Sequence, residues 1–350
     1  MTKDTLPSIS ILIPIYNVEK YIAECLQSVM RQTYTGPMEC IVVDDCGTDN
    51  SIAITEQLIA EYYAVKSQES RVESRIEFRI LHHEHNRGLA VARNTAVDAA
   101  QGEFVMHLDS DDWLEDTAVA NLVEKQLDAN ADIVSGNAIA HYHDREEIFA
   151  EPDYRDKHEM LSQTIQLSLD HVIWRRLIRR TLYLDNNIQA VEGVNIGEDH
   201  YTLPRLVYYA KSFAKCNEIV YHYNCLNVNS YMQSSSQSFN YAKYVSDVAS
   251  INILIDFFTQ NDSSYLDMLY AIKAHYVYGR FFVALKLGNE MAYKQICADW
   301  IIVDEKYRIS ERQTIRGMWL LSPKYYAFNR VRVFVRIVIK KTLGIRNYDL

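Results

Sequence analysis

The sequence lacks the usual signs of a secreted, disulfide-bonded or membrane-spanning protein. Its six cysteines are scattered and none belongs to a Cys-x-x-Cys pair, which argues against a disulfide framework or a zinc site and favours a reducing compartment. No apolar run reaches the about 18 residues that cross a membrane, and the N-terminus has no signal-peptide pattern. We therefore expect a cytoplasmic protein.

The composition is that of a folded protein with unevenly distributed charge. Hydrophobic residues make up 48% of the 350 residues and charged residues 23%, which excludes a disordered chain and allows one large domain or one domain with an extension. The net charge is −10, yet residues 314–350 contain eight Lys and Arg and one acid. The acidic remainder argues against nucleic acid as a partner.

Alternating strand-like and helix-like segments in the first 110 residues predict an α/β fold with a mostly parallel sheet and helices on both faces. The strand-like runs are Ser8–Ile15, Glu39–Asp44, Ile76–Leu81 and Phe104–Leu108. The helix-like segments are Glu19–Arg31, Ser51–Tyr63 and Leu89–Ala100. Such sheets bind ligands at the carboxyl ends of their strands, where the polar residues of this sequence collect.

The rest of the chain predicts more helix than strand. We expect a helix over Ala118–Asn130, a short strand at 133–135, a loop over 141–160 and an arginine-rich helix over Leu161–Leu184. Residues 240–313 carry aromatic and aliphatic side chains at helical spacing. These patterns predict two domains, residues 1–235 and a helical extension over 236–350.

Three carboxylates, Asp109, Asp111 and Asp112, directly follow the fourth strand-like run. Asp109 and Asp111 point to the same side if the chain stays extended. Carboxylates this close repel each other, and a hard divalent cation such as Mg²⁺ or Mn²⁺, often accompanied by phosphate, suits their oxygen ligands. The alternative is a helix N-cap at Ser110, Asp111 or Asp112, with the helix beginning at Trp113.

Asp44 and Asp45 close the second strand-like run, just before the turn-forming Gly47 and Asp49. A carboxylate at this point can accept a hydrogen bond from a ribose hydroxyl or a base N–H. The alternative is that these residues only form a turn.

Charged residues also flank two predicted helix starts. Arg87 precedes the third helix, close to amides that attract anions, and Arg93 points to another side of that helix. We expect a phosphate contact for one arginine and an ion pair with an acid for the other. Glu198 and Asp199 end a glycine-flexed loop, where one is a candidate base, or both simply favour a helix dipole.

Taken together, these segments resemble the family 2 glycosyltransferases, which are inverting enzymes of the GT-A fold that use nucleotide-sugars, here of the bacterial surface-polysaccharide type. The resemblance covers about residues 8–235. Its motifs are Ile13–Asn17, Val43–Asp49, Asn86–Asn94, Gly102–Asp112 and Gly197–Asp199, with Trp174–Arg180 and Tyr221–Ser230 resembling acceptor-side elements. Two positions depart from the family pattern, Cys46-Gly47 in place of Gly-Ser and His200 in place of an aromatic residue, and neither removes a carboxylate.

The resemblance implies a role for each candidate residue. Asp199 would be the general base for the acceptor hydroxyl. Asp109 and Asp111 would hold Mn²⁺ or Mg²⁺. The residues that would bind the donor nucleotide, UDP by family preference, are Pro14, Tyr16, Asp44, Asp45, Arg87 and Asp109. The residues expected near the transferred sugar or the acceptor are Asp112, Trp174 and Glu198.

The implied activity is transfer of a hexosyl or hexosaminyl group to a hydroxyl of a glycan or lipid-linked glycan. One alternative is a nucleotidyltransferase, but residues 14–18 contain no glycine for a phosphate-binding loop. The other alternative is a non-catalytic nucleotide-sugar binder, which the presence of both Asp111 and Asp199 disfavours.

The basic tail predicts an amphipathic helix over Tyr325–Lys341. Val331, Phe334, Val335 and Val338 share one face, and Arg332, Arg336 and Lys340 lie toward the other. This pattern fits a helix on an anionic membrane surface, and the alternative is docking on the acidic body. The membrane interpretation predicts a peripheral enzyme on the inner face of the cytoplasmic membrane.

The full-length protein is therefore expected to sediment with vesicles that contain anionic lipid, and added salt should weaken the association because it screens the cations of the tail. Neutral vesicles serve as the control in the same sedimentation assay. A protein that stays in the supernatant with anionic vesicles contradicts the membrane interpretation.

Overall fold

The computed structural model describes residues 6–68, 76–166, 171–227 and 241–307. It divides the chain into two units, residues 1–229 and 230–350. The predicted boundary at 235/236 and the predicted basic helix over 325–341 both lie outside the described residues.

The first half of the sheet is parallel, as the strand–helix alternation predicts. Its strands are β1 (Ile9–Ile15), β2 (Met38–Asp44), β3 (Glu77–His82) and β4 (Phe104–His107), in the order β3-β2-β1-β4. Every residue of β1 is buried, which is typical of a parallel strand covered on both faces. Ile11 and Ile13 share a core with Leu26 of α1 (Ile22–Met30), and α3 (Leu89–Ala99) contacts β1 and β2.

The second half of the sheet is mixed. The order continues from β4 through β8, β6 and β9 to β5, and β7 pairs with β6. The bounds are β5 Trp113–Leu114, β6 Ile133–His141, β7 Glu146–Phe149, β8 Arg176–Arg179 and β9 Phe213–Asn224. Strand β8 runs antiparallel to both β4 and β6. The α/β prediction is confirmed, and the parallel arrangement is concentrated in the N-terminal half.

The helices of this unit are α1, α3, α2 (Ser51–Gln68), α4 (Ala118–Ala129), α5 (Lys157–Ile165), α6 (Thr181–Asp185) and α7 (Glu198–Tyr209). The predicted helix over Leu161–Leu184 is wrong, because α5 ends at Ile165 and β8 follows. Leu177 and Ile178 are fully buried in the sheet, so strand pairing overrides the helical spacing of the sequence. The predicted loop over 141–160 is also partly wrong, since β7 and the start of α5 lie within it.

The second unit is helical over its described residues, 241–307, as predicted. Its elements are α8 (Tyr241–Asn261), a 3₁₀ turn (Ser263–Tyr265), α9 (Leu266–Leu287) and α10 (Glu290–Tyr307). The rings of Phe258 and Tyr265 lie 5.1 Å apart in its interior. Within the described residues of both units, no helix combines the length and apolarity needed to span a bilayer.

A buried ion cluster fixes the chain just before β8. Glu151, Arg175 and Arg176 are each at most 2% exposed. Oε2 of Glu151 lies 2.9 Å from Nη2 of Arg175, and Oε1 lies 2.7 Å from Nη1 of Arg176. Arg175 has a left-handed backbone with φ of 61°, which is uncommon for a residue other than glycine. The shared carboxylate thus holds the segment that carries Trp174.

Replacing Glu151 by alanine is expected to destabilise the protein by about 3–5 kcal/mol, because it removes the carboxylate that compensates two buried guanidinium groups. Urea unfolding of both variants measures the difference. Asp153→Ala is the matched control: Asp153 pairs with Lys215 at the surface, where ion pairs contribute little. Equal unfolding midpoints for the two variants would contradict the importance of the cluster.

Candidate active site

The carboxyl ends of the four parallel strands bring the first group of predicted site residues to one edge of the sheet. Ile15 of β1 is in register with Asp44 of β2, which is in register with His82 of β3. Tyr16 follows β1 and is 46% exposed. Pro14 is buried within β1, one residue before the end of the strand.

Asp44 and Asp45 use their carboxylates within the protein. Oδ1 of Asp44 accepts from the amide of Cys46 at 3.0 Å, so the expected turn is present, and Oδ2 lies 3.0 Å from Nδ1 of His82. Asp45 is 3% exposed and accepts from the amides of Arg87 and Gly88, each at 2.8 Å. These contacts organise the loop before α3, and nucleotide binding by the two acids stays a prediction.

The start of α3 is tied to the loop that leads into α7. Oδ1 of Asn195 accepts from the amide of Ala90 at 3.1 Å, so Asn195 and Asp45 occupy amides that would otherwise face an anion. The Arg87 guanidinium is half-exposed and lies 3.3 Å from Glu192. Arg87 therefore stands at the rim of the site, and its contact with a phosphate stays a prediction.

Residues 109–112 form a tight turn, since the amide of Asp112 donates to the carbonyl of Asp109 at 3.0 Å. The N-cap alternative is wrong, because Trp113 begins strand β5. The chain also does not stay extended here. The condition under which Asp109 and Asp111 were expected to point to the same side is therefore not met. Asp111 instead accepts from Nδ2 of Asn227 at 2.8 Å.

Asp112 has a scaffold role. It is 1% exposed, and it accepts from the Tyr221 hydroxyl and from the amide of Asn224, each at 2.7 Å. The same hydroxyl accepts from the amide of Asp109 at 3.1 Å, so Tyr221 fixes both ends of the turn. A contact of Asp112 with donor or acceptor stays a prediction that this burial does not favour.

The carboxylates of the turn carry more negative charge than their surroundings compensate. Burial raises the pKa of Asp111 above its ordinary value, and the nearby Asp109 raises it further. Burial together with Asp111 and Asp109 likewise raises the pKa of Asp112. An adjacent cation would reverse this effect.

The donor set fits a divalent cation that is shared with a ligand. Mg²⁺ is usually bound through one or two carboxylates together with substrate phosphates and water, and Asp109 and Asp111 supply such a pair. Over the described ranges, no group of three or more His, Cys, Asp or Glu side chains forms a complete metal site. A cation here would therefore need phosphate oxygens to complete its coordination.

Glu198 and Asp199 form the first turn of α7, behind Gly197, whose backbone is left-handed with φ of 78°. Both acids therefore lie at a helix N-terminus, as the helix-dipole alternative predicts. This position is compatible with a chemical role. Burial raises the pKa of both carboxyls, and Asp199 raises that of Glu198 further. Oδ2 of Asp199 accepts from the amide of Ile173 at 3.5 Å.

Arg93 contacts both the turn at residues 109–112 and the start of α7. This arginine of α3 is 4% exposed. Its Nη2 donates to Oδ1 of Asp109 at 2.8 Å and lies 4.0 Å from Oδ1 of Asp199, while its Nε lies 3.4 Å from Oε1 of Glu198. The expectation of an ion pair with a neighbouring acid is confirmed for Arg93, and the arrangement places a cation between two groups of carboxylates.

Aromatic rings stack beside these acids. The Trp174 ring lies 4.5 Å from the Tyr221 ring and 5.5 Å from the Tyr223 ring, nearly parallel to both. Trp174 is 7% exposed and directly follows Ile173, whose amide contacts Asp199. Trp174 thus belongs to the wall of the site, and its contact with a sugar or acceptor stays a prediction.

Sequence reasoning missed the supporting roles of Tyr221, Asn224 and Asn227, which lie more than 100 residues from the acids they contact. The supporting role of His83 was missed as well. The side chain of His83 is 6% exposed and lies 2.7 Å from Asp45. Tyr221 is fully buried in β9, but no local signal shows which carboxylate its hydroxyl meets.

Comparison with known proteins identifies a family that matches this chain. The model described as Glycosyl transferase family 2 matches residues 10–186, just over half of the chain. Glycosyltransferase GlyG of Streptococcus pneumoniae is 37% identical over 129 residues, which are 37% of this chain and 38% of that protein. The putative teichuronic acid biosynthesis glycosyltransferase TuaG of Bacillus subtilis is 37% identical over 123 residues, 35% of this chain and 41% of that protein. The chain thus matches less than half the length of these relatives.

A solved structure resembles the chain over nearly its whole length. The crystal structure of residues 1–349 of S. aureus TarS in complex with UDP-GlcNAc gives a TM-score of 0.64 at 19% identity and covers 98% of this chain and 93% of that one. At this identity, the likeness establishes the fold alone. The fold is the GT-A fold that the sequence predicts, with helices in the C-terminal part.

Proposed function

Since the chain belongs to glycosyl transferase family 2, we propose that it moves a sugar from a nucleoside-diphosphate donor, UDP in the first instance, to a hydroxyl of a glycan or lipid-linked glycan. The proposed reaction is a single displacement that inverts the sugar, with a hexosyl or hexosaminyl group transferred. Residues 1–235 would form the catalytic domain and residues 236–350 an extension.

The observation that supports this proposal is that Arg93 faces both groups of acids, Asp109 on one side of the sequence and Glu198 with Asp199 on the other. Asp109 and Asp111 lie at the edge of the sheet where α/β proteins bind ligands. Asp199, at the start of α7, faces the same Nη2 of Arg93 that pairs with Asp109. A nucleotide-sugar transferase needs these two elements next to each other, one for the leaving diphosphate and one for the attacking hydroxyl.

Asp199 is the proposed general base. A base works best when its pKa approaches the working pH, and burial moves the pKa of Asp199 upward in that direction. The Ile173 amide orients one carboxylate oxygen, and Oδ1 accepts no hydrogen bond from the described residues. The side chain of Asp199 is 13% exposed, and its carboxylate would take the proton of the acceptor hydroxyl as the hydroxyl attacks the anomeric carbon.

The donor would lie along the edge of the parallel strands. Tyr16 would offer its exposed ring to the base of the nucleotide. Asp44 and Asp45 would shape the loop around that nucleotide base, and Arg87 would supply a cation at the rim of the site. Asp109 and Asp111 would hold a divalent cation. When bound, that ion supplies Lewis-acid stabilisation of the charge that develops on the leaving diphosphate.

The biological setting is proposed from the relatives. TuaG is named for teichuronic acid biosynthesis, and the sequence resembles the surface-polysaccharide type, so we assign the enzyme to surface-polysaccharide synthesis. The scattered cysteines fit action on the cytoplasmic side, and the basic residues 325–341 would hold the enzyme near a lipid-linked acceptor.

Nucleotide binding tests the donor and the cation together. UDP is expected to raise the melting temperature with Mn²⁺ and much less without it, because a ligand that binds only the native state stabilises it. Asp111→Ala should abolish the Mn²⁺-dependent part of the shift. Thermal-shift assays with UDP, GDP and dTDP, with and without Mn²⁺, measure both effects.

Asp128→Ala is the control for the loss of an acid, since Asp128 is a surface residue of α4 that is 67% exposed. It should behave like the wild type. A shift that is independent of Mn²⁺ and unchanged in Asp111→Ala would refute the cation role. The absence of a shift with all three nucleotides would count against the glycosyltransferase proposal itself.

Asp199→Asn is expected to lower turnover by roughly 10²–10⁴-fold, the usual contribution of a positioned base, with donor affinity nearly unchanged. UDP release from UDP-GlcNAc, with and without a glycan acceptor, measures the rate. Because the pKa of Asp199 is raised, its ionised form is lost as the pH falls through that raised value. Wild-type kcat should therefore decline on the acid side at a pH above the ordinary aspartate pKa of about 3.9. Full activity in Asp199→Asn would show that another group is the base.

A further inference from the structure

The guanidinium of Arg93 faces three acids from two different parts of the chain. Asp109 belongs to the turn after β4, and Glu198 and Asp199 belong to α7, more than 85 residues further along. The side chain of Arg93 is 5% exposed, and those of Glu198 and Asp199 are 8% and 13% exposed. The contact is therefore an interior one, where charges interact more strongly than at a surface.

The contacts of this guanidinium are unequal. The hydrogen bond from Nη2 to Asp109 is short, at 2.8 Å, whereas Asp199 lies 4.0 Å from the same nitrogen. Within the described residues, Nε and Nη1 of Arg93 and Oδ1 of Asp199 have no hydrogen-bond partner. A planar guanidinium can thus hold the carboxylate of Asp109 firmly and attract those of Glu198 and Asp199 from longer, fixed distances.

We propose that Arg93 is a positioning residue that sets the donor-side carboxylate of Asp109 and the acceptor-side carboxylate of Asp199 relative to each other. It acts on nucleotide binding through Asp109 and on the transfer step through Asp199. This inference rests on the proposed function, since it assigns Asp109 to the donor and Asp199 to the acceptor. Neither effect requires Arg93 to touch a substrate.

A purely structural arginine would behave differently, and the chain offers one for comparison. Arg205 lies on α7 and is also buried, at 9% exposure. Its Nε and Nη2 donate to the backbone carbonyls of Tyr201 and Gln189. Arg205→Lys therefore perturbs a buried guanidinium near the site without disturbing either catalytic carboxylate.

The test is Arg93→Lys, which keeps the charge and loses the fork. Calorimetric titration with UDP and Mn²⁺ should show an affinity about 10–100-fold below that of the wild type, the usual effect of removing an outer partner of a metal-binding carboxylate. UDP release from UDP-GlcNAc at saturating donor should also slow. Arg205→Lys should leave the affinity for UDP and Mn²⁺ unchanged, even where it lowers the melting temperature.

Two double-mutant cycles separate the two routes. In an Asp109→Asn background, Arg93→Lys should no longer weaken binding of UDP and Mn²⁺. In an Asp199→Asn background, it should still weaken binding but no longer slow UDP release. The proposal would be overturned if Arg93→Lys weakened binding in full in the Asp109→Asn background and slowed UDP release in full in the Asp199→Asn background. Its effects would then not pass through these carboxylates.

Arg93→Gln combined with Glu198→Gln covers the case in which Arg93→Lys does not fold, since it removes the cation together with a facing acid. It should reproduce the loss of affinity for UDP and Mn²⁺, and wild-type affinity in this variant would overturn the proposal. If the wild type itself binds no UDP, the proposed function fails. If the wild type binds UDP and Arg93→Lys binds it equally well, this inference alone fails.

Discussion

The structure of the site depends on how a few buried carboxylates are kept together. Burial of an uncompensated charge is costly, and Asp109, Glu198 and Asp199 converge on the single guanidinium of Arg93. Burial raises the pKa values of Glu198 and Asp199, and the one cation lowers them only in part.

A second buried ion cluster performs a different task. Glu151 bridges Arg175 and Arg176 and so fixes the segment whose Ile173 amide faces Asp199 and whose Trp174 ring stacks on Tyr221. Because Tyr221 also contacts both Asp109 and Asp112, the position of the turn depends on a chain of contacts that begins at Glu151. Rigid support of this kind keeps reacting groups in place, and here it comes from the mixed half of the sheet.

The sequence predicted the parallel half of the fold and the edge where the acids collect, because the spacing of apolar residues and the ends of strands are local properties of the sequence. It failed over Leu161–Leu184, where the spacing of apolar residues fits a helix and only the burial of Leu177 and Ile178 between β4 and β6 favours a strand. It found the acids of the site but left the partner of Arg93 open. The contacts from Tyr221 and Asn227 depend on the packing of β9, and no local pattern encodes them.

The incomplete metal site has a mechanistic consequence. Asp109 and Asp111 are the carboxylates available to a cation, and over the described ranges they have no third His, Cys, Asp or Glu ligand beside them. A cation held there would take further oxygen ligands from water or the diphosphate, and in the second case cation and nucleotide should bind in a mutually dependent way. Since Nη2 of Arg93 donates to Asp109 and also faces Asp199, binding of that pair would also alter the surroundings of the proposed base. The proposed donor and acceptor sides of the site would therefore be linked through one side chain.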